Sequence, residues 1–129
     1  MLEGLRSWWA RRREARADAL MFERAVVVTF DDSGICAAYP EGEIQWTAWP
    51  EVEQISIETN DTGPWGADVW WVLTSTGRRS TYPGGATGEQ DALTEFRKRF
   101  PQFKEEAFIQ AMCCTSNAQF VCWKREHAV

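Results

Sequence analysis

Bases are what the middle of this chain lacks. Between residues 25 and 77 there is no Lys and no Arg, while the same segment holds nine carboxylates, Asp31, Asp32, Glu41, Glu43, Glu51, Glu53, Glu58, Asp61 and Asp68. A surface built from such a segment repels nucleic acid and anionic headgroups and attracts basic protein surfaces. Histidine is almost missing as well. His127 is the only one and lies near the chain end, so general-base and Cys–His chemistry have one poorly placed candidate. No G-x-S-x-G, Walker A or dinucleotide fingerprint occurs. No apolar run approaches the roughly 18 residues of a membrane span. Arg11-Arg12-Arg13 interrupts any signal-type apolar core, so a cytoplasmic location is expected.

No C-x-x-C pair is present among Cys36, Cys113, Cys114 and Cys122, which argues against a disulfide framework. Each cysteine reads as a small buried hydrophobe. Zinc held by Cys113, Cys114, Cys122 and His127 is disfavoured, because adjacent helical side chains diverge by about 100° and the spacing matches no standard knuckle. Gly84 to Gly88 precedes a helix and could cradle a phosphate. No lysine follows it, however, and Glu89 and Asp91 would repel the anion. The expectation is therefore no catalytic residue, no metal and no cofactor.

Tryptophan is what the chain has in excess, eight among 129 residues. Five of them, Trp46, Trp49, Trp65, Trp70 and Trp71, fall in the stretch Glu43 to Thr74 together with six carboxylates. The length suits one domain over 1–129. Charge is uneven, +2 over residues 1–24 (six Arg against four acids) and −7 beyond (eight bases against fifteen acids), which gives the net −5.

Periodicity divides the chain. Residues 1–23 read as an amphipathic helix with Leu5, Trp8, Ala15, Ala19 and Phe22 on one face. Residues 24–82 change to period two and read as an antiparallel sheet, its turns at Asp31-Asp32-Ser33-Gly34, Pro40 to Glu43 and Ser75 to Arg78. Within it Ile44 and Trp46 are expected to point inward, Trp49-Pro50 to break the run, and Asn60 to Ala67 to form a loop. Val69, Trp71 and Leu73 share the core face, which leaves Trp70 on the other. Residues 87–114 read as a helical pair. Thr87 is the expected N-cap of a capping box with Gln90, and Phe108, Ile109, Met112 and Cys113 form the second helix's buried edge. Residues 119–125 read as a terminal strand or anchor. The fold class is α+β, an antiparallel meander of about six strands preceded by one helix and followed by two.

Ile44-Gln45-Trp46 followed by Trp49-Pro50-Glu51-Val52-Glu53-Gln54-Ile55, with a helix after the strands, resembles the I-x-W…I-x-x-I passage of bacterial pleckstrin-homology-like proteins. The resemblance covers about residues 25–100 and implies a PH-like architecture. Phosphoinositide-binding members carry Lys or Arg at the first hairpin, where this chain has Asp31-Asp32. In size and acidity the chain is also similar to bacterial immunity proteins, which implies antagonism of a basic toxin or nuclease.

Carboxylate pairs such as Asp61/Asp68 would serve a glycosidase only across a substrate cleft, and a domain this small offers little of one. The leading expectation is a non-enzymatic protein-binding module for a basic partner such as a toxin. Its binding residues are Glu58, Asp61, Trp65, Asp68 and Trp70, with Trp65 and Trp70 as anchors and the carboxylates steering. One alternative is a membrane-surface adaptor docking through the basic N-terminal helix, and another is a small ligand- or sugar-binding protein using the 60–68 loop. Nucleic acid is excluded by charge, a membrane role is disfavoured, and a homodimer stays open.

Overall fold

A computed structural model describes residues 21–63, 66–114 and 116–126, and for residues 61–63 and 66–68 only the backbone. Most of the helix expected over residues 1–23 lies outside this range. Its end is helix α1, described over 21–25. Then follow β1 (Val27–Phe30), β2 (Gly34–Ala38), β3 (Ile44–Ala48), a 3-10 turn (Trp49–Glu51), β4 (Val52–Gly63), β5 (Gly66–Ser75), β6 (Arg78–Pro83), α2 (Glu89–Arg99), α3 (Glu105–Cys113) and β7 (Ala118–Lys124).

The α+β class and the antiparallel pairing agree with the sequence expectation. The single meander does not. The strands form two sheets, one of order β1-β2-β3 and one of order β6-β5-β4-β7. Pro50, which has no N–H to give a ladder, is the middle residue of the 3-10 turn that separates them. After both helices β7 returns to pair with β4, Thr59 opposite Ala118 and Gln54 opposite Lys124. Strands β4 and β5 also run further than expected, pairing as far as Gly63 and Gly66 after an irregular register between Asn60 and Gly63, so the described part of Asn60 to Ala67 is strand and not loop.

Between the sheets lies an aromatic core that α2 closes. Ile55, Ile57, Trp71, Leu73 and Tyr82 from one sheet and Val28, Ile35 and Ala37 from the other are buried with Trp49, Leu93, Phe96 and Phe100. Trp49 meets Phe96 and Phe100 edge-on with centroids 6.2 and 6.0 Å apart, and Trp71 lies 5.7 Å from Phe96. Such pairs contribute about 0.5–1.5 kcal/mol each beyond the area they bury. Buried indoles need partners, and both have one. Trp49 Nε1 donates to Asp31 O at 2.7 Å, and Trp71 Nε1 donates to Glu89 Oε2 at 2.8 Å.

The capping box fails because Thr87 is used elsewhere. Its N–H donates to Val26 O, its carbonyl accepts from Val28 N, and its hydroxyl donates to Arg24 O at 2.6 Å. Gly88 takes the N-cap at φ 94°, where a side chain would run into the Val28 carbonyl. In α3 the covered stripe is Ala107, Phe108 and Ala111, one step round from the expected edge. Ile109 (59% exposed), Met112 and Cys113 therefore face out.

Candidate functional site: an apolar sheet face with an open strand edge

Of the expected binding residues, Glu58, Asp61, Asp68 and Trp70 lie on the paired strands β4 and β5. Glu58 stands directly opposite Trp70, and Asn60 opposite Asp68. Trp70 is half-buried, as are Glu58 and Asn60, while the neighbouring Ser56 and Val72 on this face are fully buried. The side chains of Asp61 and Asp68, and all of Trp65, lie outside the described residues. Glu58 is not the uncompensated carboxylate that the base-free segment suggested, for Arg79 of β6 forms an ion pair with it. Asp32 likewise meets Arg99 of α2 at 3.3 Å. The bases missing from 25–77 are thus partly returned by later elements that the fold brings alongside.

A larger departure concerns β3. Tyr39 N donates to Glu43 O and Trp49 N to Ser33 O at the two ends of the β2–β3 ladder. Bonded pairs alternate in an antiparallel ladder, so Gln45 and Thr47 exchange bonds with β2. Ile44, Trp46 and Ala48 turn their N–H and C=O groups the other way. Side chains alternate with the same period. Thr47 is buried and Gln45 reaches inward to accept from Thr81 N at 2.7 Å. Ile44 and Trp46 therefore stand on the outer face, 67% and 42% exposed, and not in the core as the sequence pattern suggested.

The register assembles an apolar face around them. Val27, Ala38 and Ile44 form one row, and Thr29, Cys36 and Trp46 the next. Val27 is exposed, and Ala38 and Cys36 are half-exposed. Trp46 leans across β2, its Cζ2 only 2.8 Å from where a Cβ on Gly34 would sit, so Gly34 is the gap that lets the indole lie down. No charged residue interrupts these rows. Carboxylates rim them: Asp31 and Asp32 in the β1–β2 turn, Glu41 and Glu43 in the β2–β3 turn, all exposed. An exposed apolar patch with a polar rim, uncovered among the described residues, is a candidate interaction surface. A period-two reading places Ile44 and Trp46 on one face, but strict alternation leaves open which side faces in, so the sequence pattern alone could not find this surface.

Little else among the described residues suggests chemistry. No group of three metal-ligating side chains occurs there. Only Cys122 is buried, so the reading of all four cysteines as core residues is corrected. Burial, then the nearby Glu105 charge, push the Cys122 thiol up to about 12, which makes it inert. Cys114 is lowered, through hydrogen bonding with Ser116 and then Thr59. No base or substrate recess accompanies it in the described contacts. Among the described residues no helix is long and apolar enough to cross a membrane.

Comparison with models of known protein families, with curated proteins and with solved structures finds no match.

Proposed function

We propose that the protein is a non-enzymatic protein-binding module that docks a basic protein, a toxin or nuclease held inactive being the leading case, on the outer face of the β1-β2-β3 sheet. The observation that carries this reading is the apolar row pair ending in Ile44 and Trp46, with carboxylates at both of its ends. Large, rigid side chains such as Trp supply most of the energy in small interfaces. Surrounding carboxylates speed encounter with a basic partner and deter acidic ones. Glu58, Asp61, Trp65, Asp68 and Trp70 belong to this proposal as a second contact region. Ion pairing with Arg79 weakens the part Glu58 can play.

The pleckstrin-homology-like likeness also belongs here. Six antiparallel strands followed by α2 support it, while α3 and the return of β7 to β4 depart from it. Asp31-Asp32 at the first hairpin speaks for a protein partner over a phosphoinositide.

The test starts from affinity capture with the wild-type chain and an Ile44→Ser/Trp46→Ser double variant as control. For a partner retained only by the wild type, the association rate should fall steeply with added salt. The double variant should bind at least about thirtyfold more weakly, matching the loss of roughly 2 kcal/mol typical of hot-spot truncation. A partner of acidic surface, or one that binds the double variant equally, would sink the reading.

A further inference from the structure

Three of the four outer strand edges carry at least one hydrogen bond from another element of the fold. The β1 edge is taken by Thr87, which bonds Val26 and Val28. The β7 edge is taken at Cys122, whose carbonyl accepts from Lys104 N at 2.7 Å. The β6 edge is taken at Thr81, whose N–H donates to Gln45 and whose carbonyl accepts from the Tyr39 hydroxyl. Only β3 is left. The outward N–H and C=O groups of Ile44, Trp46 and Ala48 bond no described residue. The strand, Ile-Gln-Trp-Thr-Ala, also lacks three usual protections of an edge, having no proline, no lysine and no bulge.

We propose that this edge pairs antiparallel with β3 of a second copy of the chain, about a two-fold axis at Trp46, to give one continuous six-stranded sheet. The pattern of the strand is self-complementary. Centred on Trp46, the arrangement sets Ile44 opposite Ala48 of the second copy and Trp46 opposite Trp46, and each of these residues already faces outward. Three such pairs form about six N–H···O bonds. The two Trp46 residues stand opposite each other, each indole lying back over its own β2, so their rings do not obstruct the pairing.

Charge favours a copy over an unrelated strand. A recess of about 250 Å³ beside the edge is lined by Glu43, Ile44, Trp46, Arg78 and Arg79. Arg79 is neutralised by Glu58, whereas Arg78 is exposed and forms no ion pair among the described residues. The edge therefore offers one free cation together with the carboxylates of the Glu41–Glu43 turn. A second copy brings both signs, as an isologous interface requires, and a partner strand of one sign satisfies only half. The outer apolar faces of the two copies then join into one platform. This inference does not rest on the basic-partner reading above, since it concerns the strand edge and a different occupant.

Sedimentation velocity of the full chain over a range of concentrations, with amide hydrogen exchange, tests it. Ile44→Pro deletes one outward N–H and leaves the β2 ladder intact, because residue 44 gives β2 no hydrogen bond. The expected result is a concentration-dependent dimer in which the Ile44 and Trp46 amides gain protection, with self-association weakened about tenfold or more in Ile44→Pro. A monomer at every concentration overturns the proposal, as does a dimer that Ile44→Pro leaves unchanged, and either result leaves β3 to a heterologous strand. Should Ile44→Pro fail to fold by near-UV dichroism, exchange in the wild type decides. Protection at Ile44 and Trp46 that rises with concentration supports the pairing, and protection that does not rise overturns it.

Discussion

The inner and outer faces of the β1-β2-β3 sheet carry side chains of the same kind. Val28, Ile35 and Ala37 point in and are at most 4% exposed, while Val27, Ile44 and Trp46 point out and are 39%, 67% and 42% exposed. What separates the two faces is the cover. The inner face has α2 and the second sheet, whose Phe96, Trp71 and Tyr82 fill the space, and among the described residues the outer face has no such layer. Apolar composition alone therefore does not make a core. It makes a surface that something must cover, either the rest of the chain or a partner.

Trp71 and Trp46 put that contrast to its strongest test. Trp71 is fully buried, stacks against Tyr82 and Phe108, and donates to Glu89. Trp71→Ala leaves a large cavity and removes one of the hydrogen bonds to the Glu89 carboxylate, whose other oxygen keeps the Gly85 N–H, with an expected destabilisation of about 3–5 kcal/mol in denaturant titration. Trp46→Ala should cost less than about 1 kcal/mol, because among the described residues the indole rests on the sheet surface and is already part hydrated. Equal losses for the two variants would mean that Trp46 is a core residue after all, and the proposed docking face would disappear.

That distinction is only half legible in the sequence. Trp71 can be placed because Val69, Trp71 and Leu73 alternate beside Ile55 and Ile57, and five such residues fix a face. Ile44 and Trp46 alternate as well, but two residues do not say which side is inward. Their orientation is decided by Trp49, which turns under the sheet at the 3-10 turn and claims the core. Thr87 misleads for a related reason. A capping box is a local signal, and the hydroxyl serves Arg24, sixty-three residues earlier. The base-free segment is plain in the sequence, yet it overstates the charge of the folded surface. Arg79 and Arg99 are supplied by β6 and α2, which no local window connects with Glu58 and Asp32. The expectations at Trp65, and at the side chains of Asp61 and Asp68, lie outside the described residues.

Gly34 sharpens the comparison at the boundary between the faces. A Cβ there would lie 2.8 Å from Trp46 Cζ2 and 2.9 Å from Ala48 Cα, and would press on the Thr47 carbonyl. Real Cβ atoms do not approach so closely, so Gly34→Ala must move both the indole and β3. The expected destabilisation is about 1–3 kcal/mol, the usual range for overpacking. Combining it with Trp46→Ala should recover only part of the loss, because the backbone contacts with Thr47 and Ala48 remain. Full recovery in the double variant would assign the clash to the ring alone, and no loss in Gly34→Ala would show that β3 is free to slide on β2.

The smallest effect concerns how the cover over the inner face is fastened. Arg97 of α2 grips Glu105 of α3 through two of its three nitrogens, Nε donating to Oε1 at 2.5 Å and Nη2 to Oε2 at 3.0 Å. Both side chains are close to half exposed, so solvent screens the pair and its contribution is expected below about 1 kcal/mol despite the bidentate geometry. The Arg97 hydrogen bonds hold the Glu105 carboxyl below the ordinary carboxylate range. A carboxylate with a depressed folded-state pKa stabilises above its unfolded-state pKa, and that contribution is lost as pH falls through the folded-state value. Glu105→Gln should therefore be slightly less stable than wild type near neutral pH and indistinguishable from it in acid, below both values. Added salt at neutral pH should narrow the gap in the same way. If Glu105→Gln instead lost as much as Trp71→Ala, the helices would be held over the core by charge. The small loss expected here leaves that work to Phe96, Phe100 and Phe108, the apolar contacts that the outer face lacks.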